Sequence, residues 1–112
     1  MLNSINETDW KYLRSMKKTW LDRVCNRILD NIQMECNVEQ RQPDVHEQYL
    51  RIYRLVEKQD KMIADCFDDW SRSNVIFNIL FLIENQVLTH EEVEQFSDET
   101  KKQLEFHLKY GR

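Results

Sequence analysis

The chain has 112 residues, 41% hydrophobic and 32% charged, with a formal net charge of −4; that is enough for one folded domain over 1–112 and too little for two. One Gly and one Pro exclude turn-rich β architectures and glycine loops that cradle phosphates, and leave helices with short connections. Cys25, Cys36 and Cys66 have no Cys-x-x-Cys spacing and read as reduced thiols; with no basic-then-apolar leader and no apolar run near ~20 residues, the expected location is the cytoplasm.

The first helix is predicted from about Thr8 to Asn37. Ser4, three residues before Glu7, and Thr8 are its candidate caps. At 100° per residue Trp10, Leu13, Trp20, Leu21, Val24, Cys25, Ile28 and Ile32 gather into one stripe. Cys25 and Cys36 then lie about 16 Å apart at ~1.5 Å per residue, too far to bridge. The polar connection 38–43 ends at Pro43, which stops any helix before it. Asp44, with Glu47 at the reciprocal capping position, opens a second helix over Val45 to Trp70. Its expected inner face is Val45, Tyr49, Ile52, Val56, Ile63, Cys66, Phe67 and Trp70, widened by Tyr53, Leu55 and Met62 towards half the circumference.

Ser73 is the candidate cap of a third helix, Val75 to Ile83, which is apolar on all sides around Asn78. A helix of that kind is either central or covered by a partner. A buried strand fits the same run, but has no second strand to pair with. Thr89-His90-Glu91-Glu92 is a capping box that opens a short helix with Val93 and Phe96 inward. Ser97 caps the last helix, with Leu104 and Leu108 inward and Gly111 at its end. The segment Leu82-Ile83-Glu84-Asn85-Gln86-Val87-Leu88-Thr89-His90-Glu91-Glu92-Val93 resembles in pattern the short bacterial C-terminal module called SHOCT, whose signature is Gly-hydrophobic-hydrophobic-Thr-x-Glu-Glu-Phe. Gln86 stands in place of the Gly and Val93 in place of the Phe, and a capping box after a helical turn produces most of the likeness. It is not counted as family membership.

Chemistry-bearing motifs are sparse. His46, His90 and His107 lie in no Glu-x-x-His pair, no His-Glu-x-x-His and no zinc spacing. No nucleophile motif survives the single glycine. Asp65, Asp68 and Asp69, near Asp60, form the densest acidic cluster; Asp65 and Asp69 are four apart and could reach one cation, but no third ligand has the right spacing and a solvated helix end is the favoured explanation. No cofactor is expected.

Charge is more informative. Lys11, Arg14, Lys17, Lys18, Arg23 and Arg27 face only Asp22 within residues 11–27, whereas residues 57–105 hold twelve acids and five bases. Three readings follow: complementarity within the chain or across a dimer, nucleic-acid binding through Lys11, Arg14 and Lys18, or a solvated face. The nucleic-acid reading is disfavoured, because neither a basic domain nor a recognition motif accompanies the patch. Lys17 interrupts the apolar stripe, as a snorkelling stem or as an ion pair with Glu84 or an aspartate of the second helix. Trp10, Trp20, Phe77 and Phe81, together with Lys17, are the candidate interface residues.

The expectation is an all-α bundle. Two long antiparallel helices pair with a hydrophobic third helix and two short C-terminal ones. Wide apolar stripes without a catalytic motif suggest a non-enzymatic protein-interaction or regulatory module. A homodimer is expected, with another protein as a further partner and no membrane. The alternatives are a metal-binding or enzymatic bundle using Asp65, Asp69 and a histidine, and a nucleic-acid-associated protein using its basic first helix.

Overall fold

An asparagine, not the neighbouring serine or threonine, starts the first helix. In a computed structural model, which describes residues 4–37 and 43–111, α1 spans Glu7–Glu35 and its N-cap is Asn6. The Asn6 side chain accepts from the Asp9 backbone N–H at 2.8 Å. The second helix α2 spans Val45–Phe67, the third α3 Val75–Glu84, the fourth α4 His90–Glu94 and the fifth α5 Asp98–Tyr110. The described residues contain no strand, so the chain is all-α. The connection at 38–42 lies outside the described residues.

Helix α2 runs back along α1. Glu35 meets Arg51 at 3.4 Å near one end, and Lys17 lies over the Trp70 ring, 4.7 Å from its centre, near the other. As expected, Asp44 caps α2 by accepting from the Glu47 N–H. The helix stops three residues early, at Phe67. Two side chains explain the stop by satisfying carbonyls that a helix end leaves open. The Trp70 indole N–H donates to the Cys66 carbonyl at 2.8 Å. Asn78 of α3 donates to both the Asp65 and the Asp68 carbonyls at 3.1 Å. The polar residue inside the most apolar helix is therefore a C-terminal clamp for its neighbour.

Helix α3 is the central element: Val75, Ile76, Ile79, Leu80 and Leu82 are all buried. Its expected serine cap is displaced. Asn74 holds the N-cap position without a side-chain bond, and Ser71 Oγ accepts from the Asn74 N–H. At its other end Asn85 and Gln86 close the helix, with the Val87 N–H reaching back to the Leu82 carbonyl at 2.9 Å. This six-residue closure places Gln86 in the left-handed region, at φ 57°, a conformation that glycine adopts without strain. The capping box at Thr89 and Glu92 forms in full, and Ser97 caps α5.

Two helix starts are joined through one buried carboxylate. Asp9 sits in the first turn of α1 and is almost wholly inaccessible. Its Oδ1 accepts from the Ser97 N–H at 3.0 Å, and its Oδ2 accepts from the Ser97 hydroxyl at 2.6 Å and the Thr100 hydroxyl at 2.5 Å. Asn6 adds a bond from Nδ2 to Ser97 Oγ at 3.0 Å. Both helix N-termini carry partial positive charge, which favours an anion between them. Nearby, Ile5 is pinned by its N–H to the Arg72 carbonyl and by the Arg72 guanidinium to its own carbonyl. The core of Leu13, Trp20, Val24, Ile79, Leu82, Val87, Phe96 and Leu104 fills the space behind these ties.

Asp9→Ala should lose roughly 3 kcal/mol in urea denaturation, because it strands three buried donors at once; Asp9→Asn, which keeps one acceptor, should lose less. Gln86→Gly should gain up to about 1 kcal/mol in the same measurement by relieving the left-handed residue; no gain would mean that the closure tolerates Gln86 without strain.

Candidate interaction surface

The groups best suited to chemistry are held in structural bonds. Arg23 grips Glu92 with both fork nitrogens, at 2.6 and 3.1 Å, and also donates to the Val87 carbonyl at 2.6 Å. That fork, helped by the Thr89 N–H and opposed by burial, holds the Glu92 carboxyl down to about 2. The Trp20 indole N–H is buried with no partner at hydrogen-bond geometry, yet it lies near enough to Glu92 to favour the ionised form. Tyr12 donates to the Glu92 carbonyl at 2.8 Å, and burial and the Glu92 charge push its phenol up. Burial first and Asp65 second push the Cys66 thiol to about 11, where it is not a nucleophile at neutral pH. Asp65, Asp68 and Asp69 are all exposed, and no group of three His, Cys, Asp or Glu among the described residues is placed to hold a metal ion.

The basic residues of α1 divide into two sets. Arg23 and Arg27 bond within the chain: Arg23 to Glu92 and Val87, and the exposed Arg27 to the Asn85 and Gln86 carbonyls at 3.3 and 3.0 Å. They join α1 to the α3–α4 connection, so part of the opposed charge is satisfied within the chain. Lys11, Arg14 and Lys18 are exposed and share one side of the helix by their spacing. Lys11 pairs with Glu7 at 3.7 Å and Lys18 with Asp22 at 3.0 Å. Such exposed pairs contribute little to stability. Lys17 forms no ion pair with Glu84 or an aspartate of α2; its ammonium rests on the Trp70 face instead.

The five expected interface residues do not converge. Trp20 is fully buried and belongs to the core. Trp10, Phe77 and Phe81 are half-buried against that core, and Phe77 faces the His107 ring at 5.8 Å. The open apolar surface lies elsewhere, on the far half of the α1–α2 hairpin. Leu29 is 60% exposed, Val45 55%, Tyr49 60%, Tyr53 54% and Val56 44%. Four of these, Val45, Tyr49, Val56 and, on the widened stripe, Tyr53, are expected from periodicity to face inward. The helix turns a different seam to α1. Gln48 is buried and donates to the Glu35 carbonyl at 2.5 Å, and Ile52, Leu55, Gln59 and Met62 follow it at intervals of three and four residues. Val45, Tyr49, Tyr53 and Val56 fall about a quarter-turn away.

Helix α3 fixes which side of the hairpin is open. It approaches α2 on the side of Met62 and Asp65 and α1 on the side of Arg23 and Arg27. By helical spacing, Leu29 and Cys25 on α1 and the Val45–Tyr49–Tyr53–Val56 row on α2 turn away from α3. The Glu35–Arg51 register sets Leu29 level with Val56. The same side of α1, continued towards its start, carries Lys18, Arg14 and Lys11. One long face of the hairpin is thus apolar at its free end and basic at its base. A separate groove of about 920 Å³ opens between α3, α4 and α5 over Ile83, Leu88, Val93 and Leu108. Its rim mixes both signs, with Lys101 bonded to Glu94 at 3.2 Å and near Asp98 at 3.6 Å.

No helix among the described residues is long and apolar enough to cross a membrane. Compared with known protein families, with curated proteins and with solved structures, the chain matches none.

Glu92→Gln preserves the capping box and removes the ion pair. The folded carboxyl value lies below its ordinary one, so the stabilisation is complete above about pH 4.5 and is lost as pH falls towards about 2. At pH 7 the variant should be roughly 2 kcal/mol less stable, a figure reduced for the partial exposure of Arg23. Its stability should fall less than the wild type's between about pH 4.5 and 2; parallel acid profiles would show that the pair is not the cause.

Proposed function

We propose that the chain is a single helical domain that serves as a non-enzymatic protein-interaction or regulatory module and works as a homodimer. The observation that carries this reading is the open apolar row on α2, with Leu29 beside it on α1. Large contiguous apolar patches are uncommon on monomers and mark contact surfaces. Support also comes from the use made of reactive groups: Glu92, Asp9 and Cys66 are each held in a role that stabilises the fold. The exposed Lys11, Arg14 and Lys18 add a charged region that would steer an acidic protein partner.

Light scattering tests the reading on the purified chain. The expected mass is that of a dimer at both low and high salt, because an apolar contact is not screened. A monomer at every concentration would remove the reading.

A further inference from the structure

We infer that a second copy of this chain covers the free end of the α1–α2 hairpin, with α2 of one copy lying antiparallel across α2 of the other about a two-fold axis. The inference rests on the homodimer reading and assigns its surface and geometry.

Beyond Val24 no apolar residue of α1 is fully buried among the described residues, and between Val45 and Asp65 the same is true of α2. The molecule is 54 × 25 × 22 Å, and its far half is two helices without a third layer. Two such hairpins packed face to face make the four-helix cross-section that each lacks, as an obligate interface resembles a core cut in half.

The area is sufficient. Fully buried aromatic side chains cover ~150–250 Å² each. With Leu29, Val45, Tyr49 and Tyr53 more than half exposed and Val56 somewhat less, the face offers on the order of 500 Å² per copy, or ~1,000 Å² in a dimer. That reaches the threshold of about 1,000 Å² for a specific interface.

The charges are compatible with a second copy. The row Val45, Tyr49, Tyr53 and Val56 contains no Asp, Glu, Lys, Arg or His. His46 and Glu57 lie at opposite ends of the row, on the same outer edge of α2 by helical spacing. An antiparallel two-fold about the middle of the row brings His46 of one copy beside Glu57 of the other. Lys11, Arg14 and Lys18 stay outside the contact, at opposite ends of the dimer. An acidic amphipathic helix would instead need both regions of the face.

The test compares two double variants of the full chain by light scattering and sedimentation, with circular dichroism as the check on folding. Tyr49→Glu with Tyr53→Glu replaces two exposed side chains, so the fold has little reason to fail. It should raise the dimer dissociation constant by more than ~100-fold. Phe106→Glu with Tyr110→Glu, on the exposed outer side of α5, should leave it unchanged. A dimer that survives the first pair, or is broken by the second, would overturn the assignment while leaving the homodimer reading intact. A dimer lost in the wild type at high salt would place the contact on the basic region and overturn it equally. A wild-type monomer would remove the homodimer reading itself.

Discussion

The Asp9 carboxylate is the constraint on which the arrangement of the body depends. Helix packing alone would let α5 slide or rotate against α1, because Leu104 and Phe96 are adaptable apolar contacts. Three directional bonds into Ser97 and Thr100 fix where α5 begins, and the bond from Asn6 closes the set. The Ser97 hydroxyl donates once, to Asp9, and accepts from both Asn6 and the Thr100 N–H, so its capacity is fully used. A buried network satisfied in this way specifies one geometry. Arg23 and Glu92 repeat the principle fourteen residues further along α1, tying α4 to the same helix. Between them the two ties orient α1 relative to α4 and α5, and α5 in turn packs on α3.

The body and the hairpin end are therefore held by different physics. Around Trp20, Ile79 and Leu82 the core is buried and continuous. Towards the hairpin end the helices are joined by the Gln48–Glu35 bond, the Glu35–Arg51 pair and half-buried Ile28, Ile32, Ile52 and Leu55. Helices in a folded protein gain most of their stability from packing of an apolar face, and here that face is only half used. Local opening free energies fall where buried contacts are few, so the end of the hairpin is the part whose stability a partner can change most.

Capping was the most legible feature of the sequence. Asp44, Thr89, Ser97 and Gly111 all act where the short-range pattern places them, because a cap is decided within four residues. Asn6 was missed between two more conspicuous hydroxyl residues. The central position of the third helix followed from its apolar composition, yet the role of Asn78 did not, since its partners lie on another helix. Asp9 resembled an ordinary first-turn acid; nothing local announces that residues 97 and 100 will close around it. Lys17 was legible as an exception, but its aromatic partner is 53 residues away.

Periodicity assigns α2 a different inner face from the one the fold uses, and the reason bears on the surface left open. An apolar stripe spanning half a helix contains two overlapping seams, and periodicity gives their sum. The seam through Gln48, Ile52, Leu55, Gln59 and Met62 includes two glutamines, so it scores worse than the seam through Val45, Tyr49, Ile52, Val56 and Ile63. The fold nevertheless buries the first. Gln48 can be buried there because the Glu35 carbonyl, open at the end of α1, accepts its amide N–H; a valine, which carries no side-chain donor, could not satisfy that carbonyl. Helix-end satisfaction thus outweighs hydrophobicity in choosing the seam, and the more apolar row is left outside. Surfaces displaced from a core in this way are apolar without being needed for folding, which is the condition under which a chain can present them to another molecule.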